Sequence, residues 1–205
     1  MTFDEARERV EHHTILSPER LRGLWDAVQT IEQDGVFGDL VECGCFRGGS
    51  AAMLGLAATT PRTLWLFDSF QGMPEPSAHD PARSRQFVGT VCGSEPAVLA
   101  YIATCGVAVP VQSVKGWYRD TLPCPRVGHV AVLHIDCDWH DSVRACLHAF
   151  WPVLSPGAIV QVDDYGHWPG ARKAVDGFMA ERGITTPLTV LDYTGRQLRL
   201  AGGVE

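Results

Sequence analysis

The sequence lacks several features that would indicate a membrane protein or a nucleic-acid-binding protein. Its longest apolar stretches are strand-sized, far below the ~20 residues of a membrane-spanning helix. Positive charge is not in excess, since 17 Lys and Arg residues stand against 24 Asp and Glu. We therefore expect neither nucleic acid nor an anionic membrane as the main partner. Residues 1–5 are too acidic and polar for a signal peptide, so we expect a cytoplasmic protein.

The seven cysteines show no sign of a disulfide framework. Their number is odd, and thiols in a chain without a signal peptide are expected to stay reduced. Cys43 and Cys45 form a C-x-C pair, but no second Cys or His pair follows at the spacing of a zinc site. We expect the cysteines to be mainly structural.

The composition and the pattern of elements indicate an α/β protein. The 205 residues, 45% of them hydrophobic, fit one domain, residues 1–205. Helical spacing over residues 3–13 and 18–33 predicts an N-terminal helical extension, residues 1–35, before the first strand. Strands and helices then alternate, which predicts a mainly parallel sheet. Residues 189–191 and 197–200 predict a terminal antiparallel hairpin, and residues 155–157 a turn.

Acidic residues follow two apolar strands. Residues 130–135 lead into Asp136 and Asp138, and residues 158–162 lead into Asp163 and Asp164. The carboxyl ends of parallel strands form the ligand-binding edge of such a sheet. Carboxylate oxygens are the ligands that Mg²⁺ prefers. Aspartates also cap helices, but four at two strand ends favour a metal site.

A glycine-rich turn follows the first predicted strand, residues 39–44. Gly44, Gly48 and Gly49 precede a helix over residues 51–58, an arrangement that brings backbone N–H groups close to a ligand. Asp68 ends the second strand, 24 residues after Gly44, where an acid binds the ribose hydroxyls of a nucleoside. Asp68 does not distinguish NAD from S-adenosylmethionine.

Other residues are predicted to lie in the same region. The Pro- and Gly-rich residues 70–94 predict a loop over the site. Trp117 and Tyr118 could flank a ring of a ligand or pack under a loop. His140, in the first turn after the acids, could relay protons or touch substrate. His134 shares a strand face with Asp136, where a buried, hydrogen-bonded histidine is the commoner outcome.

Three alternatives in other functional classes remain at this point. A phosphatase of the haloacid-dehalogenase type also places Asp-x-Asp after a strand, but the spacing from Asp138 to the next acidic strand leaves little room for its other motifs. A nicotinamide-dependent oxidoreductase explains Asp68 but has no need of four strand-end acids. A non-catalytic metal- or nucleoside-binding subunit predicts binding without turnover. An EF-hand loop is excluded because the required Gly and Glu are absent.

Motifs spread over residues 20–200 resemble the macrocin O-methyltransferase family. The motifs are residues 40–44 (LVECG), 47–50 (RGGS), 67–74 (FDSFQGMP), 115–117 (KGW), 136–138 (DCD), 154–157 (LSPG), 162–165 (VDDY) and 172–176 (RKAVD). The resemblance implies a Rossmann-like class I methyltransferase fold, a mainly parallel seven-stranded sheet with helices on both faces. It also implies a methyl donor, S-adenosylmethionine, a Mg²⁺ ion and an acceptor hydroxyl on a natural-product sugar.

The resemblance also implies roles for individual residues. The methyl-donor site would include Glu42, Gly44, Gly48, Gly49, Ser50, Asp68 and Ser69. The Mg²⁺ ligands would be Asp136, Asp163 and Asp164, with Asp138 as the general base and His140 as a further catalytic candidate. The family leans towards homo-oligomers, which we therefore expect here. Cys137, Trp139 and His140 depart from the family pattern beside the acceptor pocket, so the acceptor stays open among a glycosylated antibiotic, a free or nucleotide-linked sugar and a catechol-like diol.

Overall fold

A computed structural model describes residues 1–124 and 126–202 of the chain. Its centre is a sheet of seven strands in the order β3-β2-β1-β4-β5-β7-β6. The strands are β1 (Asp39–Cys43), β2 (Leu64–Asp68), β3 (Val111–Lys115), β4 (Val130–Ile135), β5 (Leu154–Val162), β6 (Thr189–Val190) and β7 (Arg196–Arg199). The first five are parallel, and β7 pairs antiparallel with both β5 and β6. The predicted α/β class, the parallel sheet and the terminal hairpin are confirmed.

The strand order reverses direction between β1 and β4. From β1 the chain adds β2 and β3 on one side, and then crosses to add β4 and β5 on the other. Cys43 at the end of β1 lies beside Ile135 at the end of β4. Such a reversal opens a crevice beyond the carboxyl ends of the strands, where ligands bind in open α/β sheets.

Helices cover both faces of the sheet. They are α1 (Phe3–Val10), α2 (Pro18–Gln33), α3 (Gly49–Ala57), α4 (Glu95–Thr104), α5 (Tyr118–Thr121), α6 (His140–Phe150) and α7 (Pro169–Arg182). Three 3₁₀ turns lie at Glu11–His13, Ala82–Phe87 and Trp151–Val153. Among the described residues, none of the helices has both the length and the apolar character that a membrane crossing requires.

Two apolar clusters fill the layers on either side of the sheet. One joins the sheet to α1, α2 and α3, and the other joins it to α6 and α7. Successive residues of β4 serve opposite faces, so Val132 belongs to the first cluster and Leu133 to the second. All six residues of β4 are buried. This strand therefore ends in a rigid, water-excluded position, which fixes the residues that follow it.

The N-terminal helices are part of the first cluster. Ser17 caps α2 by accepting a hydrogen bond from the Arg20 N–H, and Pro18 occupies the first helical turn, where it needs no N–H partner. Leu24, Val28 and Ile31 recur at helical spacing and are fully buried. The first turn of α2 is thereby held at the edge of the cavity described below.

Two boundaries differ from the sequence-based expectation. Residues 155–157 were predicted as a turn, but they lie within β5, where the pairing with β4 jumps from Val130–Leu154 to Val132–Ile159. Gly157 has a φ of +83°, and a glycine of this conformation allows a bulge inside a strand. The largely apolar residues 107–114 also predict a strand, and in the structure this strand begins only at Val111.

Candidate active site

A cavity of about 420 Å³ opens at the carboxyl edge of the sheet. This volume is within the usual range for a small-molecule site. Its walls come from the ends of β1, β2, β4 and β5, from residues 13–16 and Arg20 near α2, from residues 72–74, Phe87 and Val91, and from residues 192–194. Trp117 and Tyr118 also line the cavity. This position is the one required by the first of their two alternatives, in which they flank a ring of a ligand.

Three of the strand-end carboxylates form a compact cluster in this cavity. One carboxylate oxygen from each of Asp136, Asp138 and Asp164 lies within 4.8 Å of the others. The backbone holds them there, because the Asp136 N–H donates to the Cys43 carbonyl at 2.8 Å, extending the β1–β4 pairing by one residue. The Asp138 N–H donates to Asp164 Oδ2 at 3.1 Å. The expected convergence of the two strand ends is present.

The electrostatics of the cluster favour a bound cation. Burial raises the pKa of Asp136 and of Asp164 well above the usual range, and the neighbouring carboxylates raise both further. Burial also raises the pKa of Asp138 to about 6, against the opposing effect of a hydrogen bond from Trp168. Carboxylates this close repel one another when ionised. A divalent cation between them would remove that repulsion, so the donor set fits Mg²⁺.

Asp163 lies apart from the three clustered acids. Its Oδ2 pairs with the guanidinium of Arg20, which also contacts Asp192 at 3.0 Å. Its Oδ1 is 3.9 Å from Nε2 of His134. Among the described residues, this buried Oδ1 has no hydrogen-bond partner. Asp163 is therefore held by a fixed internal cation on one side and keeps one oxygen available.

His134 and Glu42 form a fully buried pair beneath the acids. Nδ1 of His134 lies 2.9 Å from Oε1 of Glu42, and neither side chain is exposed. Burial opposes the charged imidazolium, but the neighbouring carboxylates of Asp163 and Glu42 outweigh it and raise the pKa of His134 to about 10. The expectation of a buried, hydrogen-bonded histidine is confirmed. Glu42 does not line the described cavity, so its predicted contact with a methyl donor has no support in this geometry.

Protein atoms fill the space that the glycines of the first turn leave open. A Cβ on Gly44, whose φ is +94°, would lie 1.8 Å from the Asp136 carbonyl oxygen, and a Cβ on Gly49 would lie 2.7 Å from the His13 carbonyl oxygen. Gly44 thus lets the ends of β1 and β4 meet. Gly44 and Ser50 line the cavity, whereas Gly48 and Gly49 do not. A ligand was expected to approach the backbone at these glycines. At Gly49, the N-terminal segment approaches the backbone instead.

Asp68 is stabilised by backbone N–H groups. Its Oδ2 accepts from Cys45 N and its Oδ1 accepts from Phe70 N, both at 2.7 Å. Asp68 and the neighbouring Ser69 line the cavity. A carboxylate oxygen has two lone pairs, so each oxygen of Asp68 retains capacity to accept a hydrogen bond from a ligand hydroxyl.

His140 lies outside the described cavity. Its backbone N–H donates to Asp80 Oδ1 at 2.9 Å, and its Nδ1 lies 2.7 Å from Asp141 Oδ1. Its ring packs against His79, with centroids 4.1 Å apart. These contacts connect α6 to the segment of residues 70–94, and the prediction of a catalytic role for His140 gains no support from them.

Comparison with known proteins agrees with this geometry. The sequence profile of the macrocin-O-methyltransferase family matches residues 6–199. The chain belongs to the macrocin O-methyltransferase family. It is accordingly an O-methyltransferase, as the residue motifs indicated.

Relatives of this chain are named as O-methyltransferases of natural products. The chain is 37% identical over 193 residues, which are 89% of this chain and 74% of the relative, to "8-demethyl-8-(2,3-dimethoxy-alpha-L-rhamnosyl)-tetracenomycin-C 4'-O-methyltransferase" of Streptomyces olivaceus. It is 31% identical over 94% of its length and 82% of the relative to "Mycinamicin III 3''-O-methyltransferase" of Micromonospora griseorubida. Among solved structures, the O-methyltransferase NovP superposes with a TM-score of 0.84 at 31% identity, over 92% of this chain and 82% of NovP.

Two residues of the site were not found by sequence reasoning. Arg20 pairs with Asp163 across 143 positions of sequence, and nothing in its local pattern distinguishes it from a surface residue of α2. Trp168 donates from Nε1 to Asp138 Oδ1 at 2.8 Å. In the sequence, Trp168 stands only as one residue of the segment 166–170 that precedes a helix, and this position does not indicate a contact with Asp138.

Proposed function

We propose that this enzyme transfers a methyl group from S-adenosylmethionine to a hydroxyl of a small natural-product acceptor, with Mg²⁺ as cofactor and a sugar as the methylated moiety. The observation that carries the proposal is one cavity bounded by two different carboxylate sets. Asp68 lies at its β2 end, and Asp136, Asp138 and Asp164 lie at its β4–β5 end. A nucleoside donor and a divalent cation match these two sets.

The proposed methyl-donor site lies at the ends of β1 and β2. Asp68 would accept the ribose hydroxyls, and its fixed position follows from its two backbone hydrogen bonds. The direct contacts proposed are those of Gly44, Ser50, Asp68 and Ser69, which line the cavity. For Glu42, Gly48 and Gly49 we propose support of this site from beneath and beside it, since they do not line the cavity.

The proposed Mg²⁺ ligands are Asp136, Asp163 and Asp164. Asp136 and Asp164 are supported by their proximity and by the raised pKa that their burial causes. Asp163 is supported by its buried Oδ1, which is unpartnered among the described residues. When bound, Mg²⁺ would supply Lewis acidity for the acceptor hydroxyl, and S-adenosylmethionine would supply an activated methyl group.

The chain itself supplies the base and the positioning. Asp138 is within reach of the same point as Asp136 and Asp164, so a hydroxyl held there could give its proton to the Asp138 carboxylate. A base with a pKa of about 6 is ionised near neutral pH and still accepts a proton readily. Holding donor and acceptor together in this way supplies a large share of the rate in group-transfer reactions.

The proposed acceptor is a sugar carried by a larger natural product. The relatives named above are named for methylation of such compounds. At the mouth of the cavity, Ile15 and Tyr193 are large apolar side chains that remain exposed, 65% and 69% respectively. Exposed apolar groups at the rim of a site suit the apolar body of a ligand whose polar part enters the cavity. Neither the phosphatase nor the oxidoreductase alternative gains support from the family match.

Methyl transfer can be tested directly. The protein would be incubated with methyl-labelled S-adenosylmethionine and the acceptors named for its relatives: the dimethoxyrhamnosyl tetracenomycin, mycinamicin III and demethyldecarbamoylnovobiocin. We expect a labelled product with at least one glycoside in the presence of Mg²⁺. Calorimetry with S-adenosylhomocysteine and with NAD⁺ completes the test, since binding of NAD⁺ alone would contradict the proposal. Sedimentation of the free protein would check the homo-oligomer that we still expect.

A further inference from the structure

We propose that Trp168 is a positioning residue for the reaction, and that its indole N–H fixes the Asp138 carboxylate in the orientation in which it takes the acceptor's proton. The inference rests on the proposed role of Asp138 as the base. Its basis is the hydrogen bond from Trp168 Nε1 to Asp138 Oδ1, at 2.8 Å. Because the indole engages Oδ1, we assign proton acceptance to Oδ2.

Asp138 needs such a support because its backbone is in an unusual conformation. Its φ is +56°, in the left-handed region that non-glycine residues rarely adopt and that is frequent at functional sites. The Asp138 N–H is held by Asp164 Oδ2, which fixes the backbone. That bond alone leaves rotation of the carboxylate about its side-chain torsions free. The indole N–H supplies the missing restraint, since a charge-assisted hydrogen bond is short and directional.

Trp168 is itself held rigidly. Its backbone N–H donates to the Asp164 carbonyl at 2.9 Å, so the residue is tied to the strand end that carries the proposed metal ligands. Its ring packs edge-on against Trp139 and Phe87, with centroids 4.9 and 5.6 Å apart. Only 7% of the residue is exposed. A donor fixed on three sides can hold a carboxylate to within about 0.5 Å, as catalytic geometry requires.

The packing also connects the base to the segment that covers the site. Phe87 and Arg83 belong to the 3₁₀ turn Ala82–Phe87, and the Arg83 guanidinium lies 5.6 Å from the Trp168 ring centroid. Residues 70–94 therefore reach Asp138 through Trp168. A correctly packed covering segment and a correctly oriented base are parts of one arrangement.

The chain offers a matched control for this hydrogen bond. Trp65 donates from Nε1 to Asp39 Oδ2, also at 2.8 Å, and is 8% exposed. Trp65 and Asp39 lie at the opposite end of the sheet from the cavity, because Asp39 begins β1. Loss of either indole N–H should affect stability to a similar extent, whereas only the Trp168 bond should affect turnover.

The first arm of the test measures the hydrogen bond without any acceptor. ¹⁵N-labelled protein gives one indole signal for each of its six tryptophans, and Trp168→Phe and Trp65→Phe assign two of them by their disappearance. We expect Asp138→Asn to move the Trp168 signal upfield and leave the Trp65 signal in place. Asp39→Asn should move the Trp65 signal upfield and leave the Trp168 signal in place. A Trp168 signal that Asp138→Asn does not move would overturn the inference.

The second arm measures catalysis with the acceptor from the panel above that reacts best. Trp168→Phe should lower kcat about 10- to 100-fold, the usual result of a misplaced catalytic group. The KM for S-adenosylmethionine and the affinity for S-adenosylhomocysteine should stay within about twofold, because packing of the ring is largely retained. Trp65→Phe should leave kcat unchanged. A kcat that is unchanged in Trp168→Phe contradicts the inference.

The two arms separate this inference from the proposed function. If Asp138→Asn retains full turnover, Asp138 is not the base and the proposed mechanism fails with the inference. If Asp138→Asn abolishes turnover while Trp168→Phe does not reduce it, the mechanism stands and the positioning role of Trp168 is wrong.

Discussion

The two ends of the cavity handle negative charge in opposite ways. At the β2 end, one carboxylate, Asp68, is stabilised by two backbone N–H groups at 2.7 Å. At the β4–β5 end, the buried Asp164 and the half-buried Asp136 and Asp138 lie close together, and desolvation and repulsion raise the pKa of each. At the first end, the protein's own N–H groups stabilise the negative charge. At the second end, the negative charge of the clustered acids is balanced only when a cation binds there.

The difference indicates which end of the cavity recognises a neutral ligand and which end binds a cation and supplies a base. An acid already stabilised by backbone groups recognises a neutral polar ligand, such as ribose hydroxyls, without a change of charge. Clustered acids recognise a cation and make a neighbouring carboxylate available as a base. The fixed cations at this second end are the Arg20 guanidinium on Asp163 and the buried His134 imidazolium on the other side of the same carboxylate. Substitutions at the two ends should therefore affect different measurements.

The largest effect is expected from Asp138→Asn. An amide of the same shape cannot accept the acceptor's proton, so kcat should fall by about 10²- to 10⁴-fold. Binding of S-adenosylhomocysteine at the other end should not change. Asp141→Asn, which alters an exposed aspartate three positions later, is the control and should keep kcat within about twofold. Equal losses in both variants would contradict the assigned role.

A second large effect is expected from Arg20→Gln. The pair with Asp163 is mostly buried, with side-chain exposures of 13% and 3%, and removal of one partner of such a pair costs about 3–5 kcal/mol. Mg²⁺ should recover part of the loss, because it supplies positive charge to the same acids. Arg199→Gln breaks an exposed pair with Asp34 and should cost less than about 1 kcal/mol. Urea unfolding with and without Mg²⁺ measures both, and an equal response of the two variants to Mg²⁺ would be inconsistent with this account.

Gly44→Ala tests the point where the two ends meet. A methyl group there would overlap the Asp136 carbonyl at 1.8 Å, and overpacking of this kind costs about 1–3 kcal/mol. The comparison is Gly35→Ala, where φ is also positive, at +67°, but nothing lies within 4 Å. Gly35→Ala should cost only about 1 kcal/mol, from backbone strain alone. Similar unfolding midpoints for the two variants would disprove the close approach of β1 and β4.

The smallest expected effect is the pH dependence of the metal-free protein. An unfolded aspartate has a pKa of about 3.9, whereas burial raises the pKa of Asp138 in the folded chain to about 6. Its contribution to stability is therefore fully present below pH about 4 and is lost as the pH rises through about 6. Unfolding midpoints in EDTA over this range should fall more steeply for the wild type than for Asp138→Asn. Identical slopes would show that Asp138 does not titrate as described.

Much of the fold followed from the sequence, and the reason is local. The mainly apolar residues 130–135 and 158–162 are all buried in their strands, so composition alone indicated them. The acids that follow them converge because parallel strands share one carboxyl edge. The turn predicted at residues 155–157 was wrong because Pro and Gly also occur in bulges, and the bulge depends on pairing with β4.

The site residues that the sequence did not predict make contacts with residues that are distant from them in the sequence. Arg20 reaches Asp163 only because α2 packs on the sheet, and Trp168 reaches Asp138 only because the chain turns sharply after Asp164. The local sequence around neither residue indicates which residue it contacts. Likewise, the crowding at Gly49 comes from His13, a contact that no single segment reveals.

The central claim is that the cavity has a nucleoside end and a separate cation end. Calorimetric titration of S-adenosylhomocysteine and of Mg²⁺ into the wild type, Asp68→Ala and Asp164→Asn tests it most directly. We predict that Asp68→Ala weakens the binding of S-adenosylhomocysteine and keeps that of Mg²⁺, while Asp164→Asn does the opposite. A wild type that binds no Mg²⁺, or a single substitution that abolishes both binding events in a protein that remains folded, would contradict the account.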